Sequence, residues 1–282
     1  MLTQPNRRVT TMDLLPRAAK HFGVRKHFEM PGIKLAIVQT RNSGNRIDWH
    51  YHENPHLTFI LRGNVIEGTK QQVHHCSPGA LLFHSSFEPH YNRELEGNAT
   101  CLHLDFAQDY LDEFAPQKNS LQGILSIRIP EIKFSCHKLF SEAVISDDLS
   151  RASIHSLSLG ILGELLFAEQ AATSPRPKWV IRLEEILRCG YSEQLSLAEL
   201  ARELSIHPVH LSRSFSRYFN CSLGDYVRKV RVERALAFMS RKDLSLTEIA
   251  GSCGFADQSH FTRSFKRTMG FTPSAYRKLL CG

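Results

Sequence analysis

Apolar positions along the chain follow two different spacings. Between about residues 33 and 106, short runs alternate or are continuously apolar: IKLAIVQT from Ile33, HLTFILRG from His56, GALLFH from Gly79 and CLHLDF from Cys101. Turn-prone groups punctuate them: NSGN (42–45), RGN (62–64), EGTK (67–70) and SPG (77–79). Many short strands at this spacing predict an antiparallel sandwich or barrel. From about residue 133 the period becomes helical, first over 133–146 and then over His155–Phe167. In the second stretch Ile154, Leu157, Ile161 and Leu165 form one stripe, and Leu159, Leu162 and Leu166 form another. Either one stripe packs on its own domain and the other is left for a partner, or the helix is buried on both sides. The stretch AATSPRPKW, Ala171–Trp179, has two prolines and small polar residues and reads as a linker.

The remainder of the chain repeats itself. SLAELA (196–201) recurs as SLTEIA (245–250), and HLSRSFSR (210–217) recurs as HFTRSFKR (260–267). Tyr226 matches Tyr276. The offset is 49 in the first block and 50 afterwards, so one residue enters at the intervening turn. Two blocks in fixed order mean two copies of one supersecondary unit. Each copy reads as a short helix, a turn and a second helix. Pro208 sits in the first turn of one second helix, and Asp257 is placed to cap the other. That is the helix-turn-helix outline.

A helical wheel separates the faces of these second helices. In the first copy Leu211, Phe215 and Tyr218 face inward, and Val209, Ser212, Arg213 and Ser216 face outward. In the second, Phe261 and Phe265 are inward, and Ser259, Thr262, Arg263 and Lys266 outward. Arginine offers a fork that matches guanine, and hydroxyls bond bases or phosphates. Residues at the helix start reach base edges first, which adds His210, Gln258 and His260. A merely solvated polar face accounts for Arg and Lys, but not for the same small-plus-Arg face in both copies.

Charge supports a polyanion partner for this part alone. Residues 1–174 carry 17 Lys and Arg against 18 Asp and Glu, a net of −1; residues 175–282 carry 18 against 10, a net of +8. The 282 residues, 42% hydrophobic and 22% charged, suit about two globular domains. No run approaches the ~18 apolar residues of a membrane span, and the basic start (residues 1–20) lacks a signal-peptide core. Seven scattered cysteines without a CxxC pair argue against a disulfide framework or thiolate zinc site and fit a reducing cytoplasm.

The last hundred residues resemble the DNA-binding domain of the AraC/XylS family of bacterial transcription regulators. The segment IAGSCGFADQSHFTRSFKRTMGFTPSAYR is similar to the family signature nearly throughout, and the likeness covers roughly 180–279. It implies seven helices, with Val230–Met239 inside a long helix joining the two units. It also implies base contacts at Val209, Ser212 and Arg213 and at Gln258, Ser259, Thr262 and Arg263. Val209 and Ser212 are shorter than the family's usual residues, which shifts readout toward Arg213 and contact with a thymine methyl.

Eight of the fifteen histidines lie between residues 50 and 103: His50, His52, His56, His74, His75, His84, His90 and His103. On a strand His50 and His52 share a face, and His56 can join them if the strand resumes in phase after Pro55. WHYHENPHLTFILRG resembles the first cupin motif, with His56 where that motif has glutamate and with matching spacing to Gly63. The second motif would supply His90 after Pro89, although its P-x-G surroundings are absent. The family resemblance implies a cupin-like sensory barrel that usually binds a small effector without metal. His50, His52, His56 and His90 are therefore candidates for effector binding, or for a divalent metal such as Zn(II), Fe(II), Ni(II) or Cu(II). They can equally be hydrogen-bonding residues of an apolar pocket, or exposed.

The expected architecture is an α+β multidomain chain. Residues 1–170 form a cupin-like antiparallel β-barrel with following helices, for effector binding and dimerisation. Residues 171–179 are a linker, and 180–282 an all-α domain with two helix-turn-helix units. The expected function is sequence-specific, effector-responsive transcription regulation, non-enzymatic and with no required cofactor. Expected partners are double-stranded promoter DNA, an unidentified small effector, a second copy of the chain and, for an activator, RNA polymerase, with no membrane involvement. Two alternatives stay open: a metal-dependent cupin oxygenase or isomerase fused to a DNA-binding module, and a constitutive DNA-binding protein whose barrel only dimerises.

Overall fold

The computed structural model describes residues 24–40, 46–95, 98–114, 122–172, 176–193 and 196–281. The basic start, the NSGN turn and the centre of the 171–179 stretch lie outside these. Packing divides the chain into two compact units, 1–127 and 128–282.

The first unit is built from β1 (Val24–Met30), β2 (Ile33–Gln39), β3 (Arg46–His50), β4 (His56–Arg62), β5 (Val65–Gly68), β6 (Val73–Cys76), β7 (Leu81–His84), β8 (His90–Glu94), β9 (Thr100–Phe106), helix α1 (Gln108–Phe114) and β10 (Ile124–Ser126). The strands form two antiparallel sheets, ordered β1-β2-β9-β4-β7-β10 and β3-β8-β5-β6. The four apolar runs of the sequence are β2, β4, β7 and β9, which lie together in the larger sheet. Leu35, Leu57, Phe59, Leu102, Leu104 and Phe106 have no exposed surface and fill its centre. β4 is buried at six consecutive positions, which is why it reads as a continuous apolar run rather than an alternation. Gly63, after β4, has φ +79°, and a Cβ there would stand 2.8 Å from the Ala99 backbone. Both the turn and the close approach require glycine. The EGTK turn starts two residues later than expected. Glu67 and Gly68 end β5, and Thr69 takes the turn, its N–H donating to the Gln72 carbonyl at 2.8 Å.

The second unit is helical: α2 (Pro130–Ile145), α3 (Ser150–Ala172), α4 (Lys178–Cys189), α5 (Leu197–Glu203), α6 (Pro208–Phe219), α7 (Leu223–Phe238), α8 (Leu246–Ser252), α9 (Gln258–Met269) and α10 (Pro273–Cys281). The seven implied helices are α4 to α10. Packing starts this unit at Arg128 rather than near residue 170, because α2 belongs to the helical body. On α2 the buried His137 Nδ1 is 2.5 Å from the Tyr276 hydroxyl of α10, and Lys133 donates to Glu233 of α7 at 2.7 Å. Glu131 accepts from Lys229 of α7, also at 2.7 Å. In α3 the stripe Ile154, Ile161 and Leu165 is buried with Leu157 partly so. Of the other stripe Leu162 is buried, Leu159 and Leu166 are partly covered, and the neighbouring Phe167 is exposed.

Candidate functional sites: a paired helical surface and an imidazole cluster

The two repeats fold alike from their first residue. Ser196 and Ser245 cap α5 and α8 in reciprocal capping boxes with Glu199 and Glu248. The caps of the second helices differ in chemistry but not in role. The His207 ring accepts from the Val209 N–H, and the Asp257 carboxylate from the His260 N–H at 2.6 Å. Leu211, Phe215, Phe261 and Phe265 are buried, which fixes which faces of α6 and α9 point outward. Those faces carry exposed Val209, His210, Ser212, Arg213 and Ser216, and exposed Gln258, Ser259, Arg263 and Lys266. His260 and Thr262 are half-buried.

The matched histidines have a packing role that the wheel did not reveal. His210 sits edge-on to Trp179 and His260 edge-on to Phe255, with ring centroids 5.6 and 5.4 Å apart. The Gln258 carboxamide oxygen accepts from the Thr247 hydroxyl at 2.6 Å, which leaves its NH2 group outward as a donor.

The second site lies between the sheets of the first unit. His56 on β4 is directly opposite His84 on β7, and His50 on β3 is directly opposite His90 on β8. The two pairs meet across the inter-sheet space. Ring centroids are 4.2 Å apart for His56–His84, 4.3 Å for His50–His90, 4.9 Å for His84–His90 and 4.2 Å for His52–His56. All four expected histidines are thus brought together; His52 follows β3 and is the one only partly buried.

Two further members were not singled out from sequence. His84 Nε2 lies 3.0 Å from Glu67 Oε1, with both side chains almost fully buried, and Asn92 donates to Glu67 Oε2 at 3.1 Å. The signals were present, a strand ending in histidine and a glutamate in a neighbouring strand. Their convergence depends on sheet pairing, which the sequence does not display. His103 faces Thr58 instead, with Nδ1 3.2 Å from the hydroxyl. The ring nitrogens group as His56, His84 and His90, and as His50, His52 and His90, each set within 4.8 Å.

Burial sets the charge state here. It pushes His56 well below the usual imidazole range, with neighbouring imidazoles, His84 first, adding to the effect. Burial pulls His90 down to about 4 against an opposing pull from Glu67. Burial alone would raise Glu67, but the adjoining His84 outweighs it and holds the carboxyl below its ordinary value. His56 and His90 are therefore held as neutral imidazoles beside one buried carboxylate, able to donate and accept hydrogen bonds or to offer nitrogen lone pairs.

A separate cleft of about 510 Å³ in the helical unit is lined by Glu131, Lys138, Asp225, Lys229 and Arg267, among others. Within it Lys229 pairs with Glu131 at 2.7 Å and Arg228 with Asp225, and the four cations of the lining outnumber its two carboxylates.

Two tandem helix-turn-helix units with matched, exposed, basic recognition faces define a DNA-binding protein. Residues 200–279 match the family model described as a helix-turn-helix domain. A probable transcription factor of Proteus vulgaris, PqrA, is 36% identical over 87 residues, 31% of this chain and 71% of that protein. The transcriptional activator RhaR of Mannheimia succiniciproducens is 24% identical over 85% of this chain and 90% of its own length. The Msm operon regulatory protein of Streptococcus mutans is 27% identical over 52% of this chain, which spans only 59% of that relative. The chain belongs to the AraC/XylS family of transcription regulators and is a DNA-binding regulator.

Proposed function

We propose that the helical unit reads promoter DNA through α6 and α9, and that the first unit senses a small ligand at its imidazole cluster. The observation that carries the first half is the twofold occurrence of one exposed face. Arg213 and Arg263 stand at matched positions on α6 and α9, flanked by Ser212 and Ser216 in one and by Ser259, Thr262 and Lys266 in the other. Each guanidinium fork suits a guanine edge, the hydroxyls suit bases or phosphates, and exposed Val209 suits a thymine methyl. His210, Gln258 and His260, at the helix starts, complete the contact set. The net charge of +8 over residues 175–282 supplies the attraction to phosphate. Two recognition helices on one chain reach successive major-groove segments about 34 Å apart.

The cluster is read as sensory rather than catalytic, since the relatives are named as regulators. RhaR, which aligns over most of this chain, is named as an activator. That supports activation, with RNA polymerase as a partner in the cytoplasm. Exposed Phe167 and partly covered Leu159 and Leu166 on α3 support pairing with a second copy.

The test is binding by the full chain to its mapped genomic site and to random DNA. Arg213→Ala and Arg263→Ala are each expected to cost about 1–3 kcal/mol on the specific site and much less on random DNA. Equal losses on both would reduce the arginines to phosphate contacts. His50→Ala should blunt the transcriptional response while leaving DNA affinity of the full chain unchanged.

A further inference from the structure

We infer that the imidazole cluster holds a divalent first-row transition-metal ion, with His56, His84 and His90 as its ligands. The inference names the ligand class of the sensory site proposed above, and its biological sense rests on that reading.

Four observations carry it. First, one ring nitrogen from each of the three histidines lies within 4.8 Å of the others. A tetrahedral ion with nitrogens at 2.0–2.1 Å needs separations of about 3.4 Å, and the His56 and His84 rings are stacked 13° from parallel, so one of them must turn out of the stack for both lone pairs to meet the ion. Second, their surroundings distinguish the ring nitrogens. His90 Nδ1 is 2.9 Å from the Glu88 carbonyl, which can only accept, so its Nε2 carries the lone pair. His84 Nε2 stands 3.0 Å from Glu67 Oε1, which leaves Nδ1 as the ring nitrogen not turned to the carboxylate. That Nδ1, and Nδ1 of His56, are buried without a hydrogen-bond partner. Such orphaned ring nitrogens are costly in a folded protein unless something partners them. Third, the Glu67–His84 contact, with Asn92 holding the carboxylate's other oxygen, is the outer-shell arrangement that orients a metal-bound imidazole. Fourth, rings packed 4.2–4.9 Å apart leave no room among them for an organic molecule.

The donor set narrows the ion. Imidazole nitrogens suit zinc, nickel, iron or copper, not magnesium or calcium, which prefer oxygen. His52, 4.2 Å from His56 and only partly buried, is the nearest further imidazole and lies on the accessible side. The second group, His50, His52 and His90, shares His90 with the first. His90 has one lone pair to give, so the cluster takes a single ion.

The experiment uses full-length protein without a histidine tag, stripped with chelator and titrated with Co(II) and then Zn(II). The expected result is one equivalent retained per chain after desalting, with visible tetrahedral Co(II) absorption that Zn(II) abolishes. Glu67→Gln should weaken Co(II) affinity about 10–100-fold without altering the circular dichroism of the apoprotein. His56→Ala and His84→Ala should lose the absorption. A wild-type chain that retains no stoichiometric Co(II), Zn(II) or Ni(II) overturns the site, whether or not the variants fold. Variants that bind as tightly as wild type overturn the ligand assignment. Reporter response measured with the same ions separates the two readings. Metal bound without effect on transcription sinks the sensory role alone, and a response to another compound with no metal bound sinks the metal site alone.

Discussion

Ser205 and Gly254 occupy the same place in the two repeats, and both have left-handed backbone, with φ of 53° and 78°. Each is followed by the same contact, Ile206 N–H to the Ala201 carbonyl and Phe255 N–H to the Ala250 carbonyl, both 3.0 Å. The offset is still 49 there and becomes 50 at the caps His207 and Asp257, so the extra residue of the second turn is Ala256. Only one of the two turns has the residue that tolerates its conformation freely. A non-glycine side chain in the left-handed region costs about 1–2 kcal/mol. Ser205→Gly is therefore expected to raise the stability of the full chain by about 1 kcal/mol, less what the freer unfolded chain takes back. Gly254→Ala should lower it by more, because its Cβ would also stand 2.7 Å from the Ser192 backbone. Urea denaturation followed by helical circular dichroism reads both. A destabilising Ser205→Gly would show that the serine side chain makes an interaction that matters more than the strain. The same asymmetry recurs where α6 and α9 end, at Asn220 (φ 49°) and Gly270 (φ 89°).

At the scale of elements, the helical half was the more legible. The Asp257 cap, the inward Leu211, Phe215, Phe261 and Phe265, and the turn before each recognition helix all follow from local spacing, and a helix keeps its partners local. Strands do not. The runs of β2, β4, β7 and β9 were readable, yet the pairing of His56 with His84 and the placing of Glu67 beside it depend on sheet register over distant segments. His84 and Glu67 were missed for that reason. The role of α2 was hidden too. The two prolines after residue 170 drew the sequence-based boundary there, while packing follows the contacts of His137, Lys133 and Glu131. Burial holds His137 down to about 3, with Lys133 adding to the effect, while Tyr276 stays protonated because burial raises it well above its ordinary value. A histidine depressed when folded and near 6.5 when unfolded contributes its full stability above pH 6.5 and loses it as pH falls toward 3. The melting temperature of the helical unit should therefore fall over that interval. His137→Gln should flatten part of the slope, and an unchanged slope would mean that other groups set it.

For the whole molecule, no helix among the described residues is long and apolar enough to cross a membrane. The described cysteines are unpaired, and several are buried. Burial pushes the thiols of Cys76, Cys101 and Cys253 up to about 12, so they are weak nucleophiles. Thiol-directed reagents are expected to modify exposed Cys189 first and to leave these three slow, as intact-mass measurement would record. The docking of α2 has a separate consequence for the covalent continuity of the chain. A protease site engineered at residue 174 would sever α2 and α3 from α4 to α10 in sequence. It would leave in place the His137–Tyr276 bond, the Lys133–Glu233 and Lys229–Glu131 pairs and the bond from Arg188 to the Arg128 carbonyl. The nicked protein should then migrate as two bands under denaturing conditions yet elute as one species under native ones, with its severed pieces acting as complementary fragments. Added salt alone should not part them, because the buried His137 and Tyr276 contact is shielded from ions in solution.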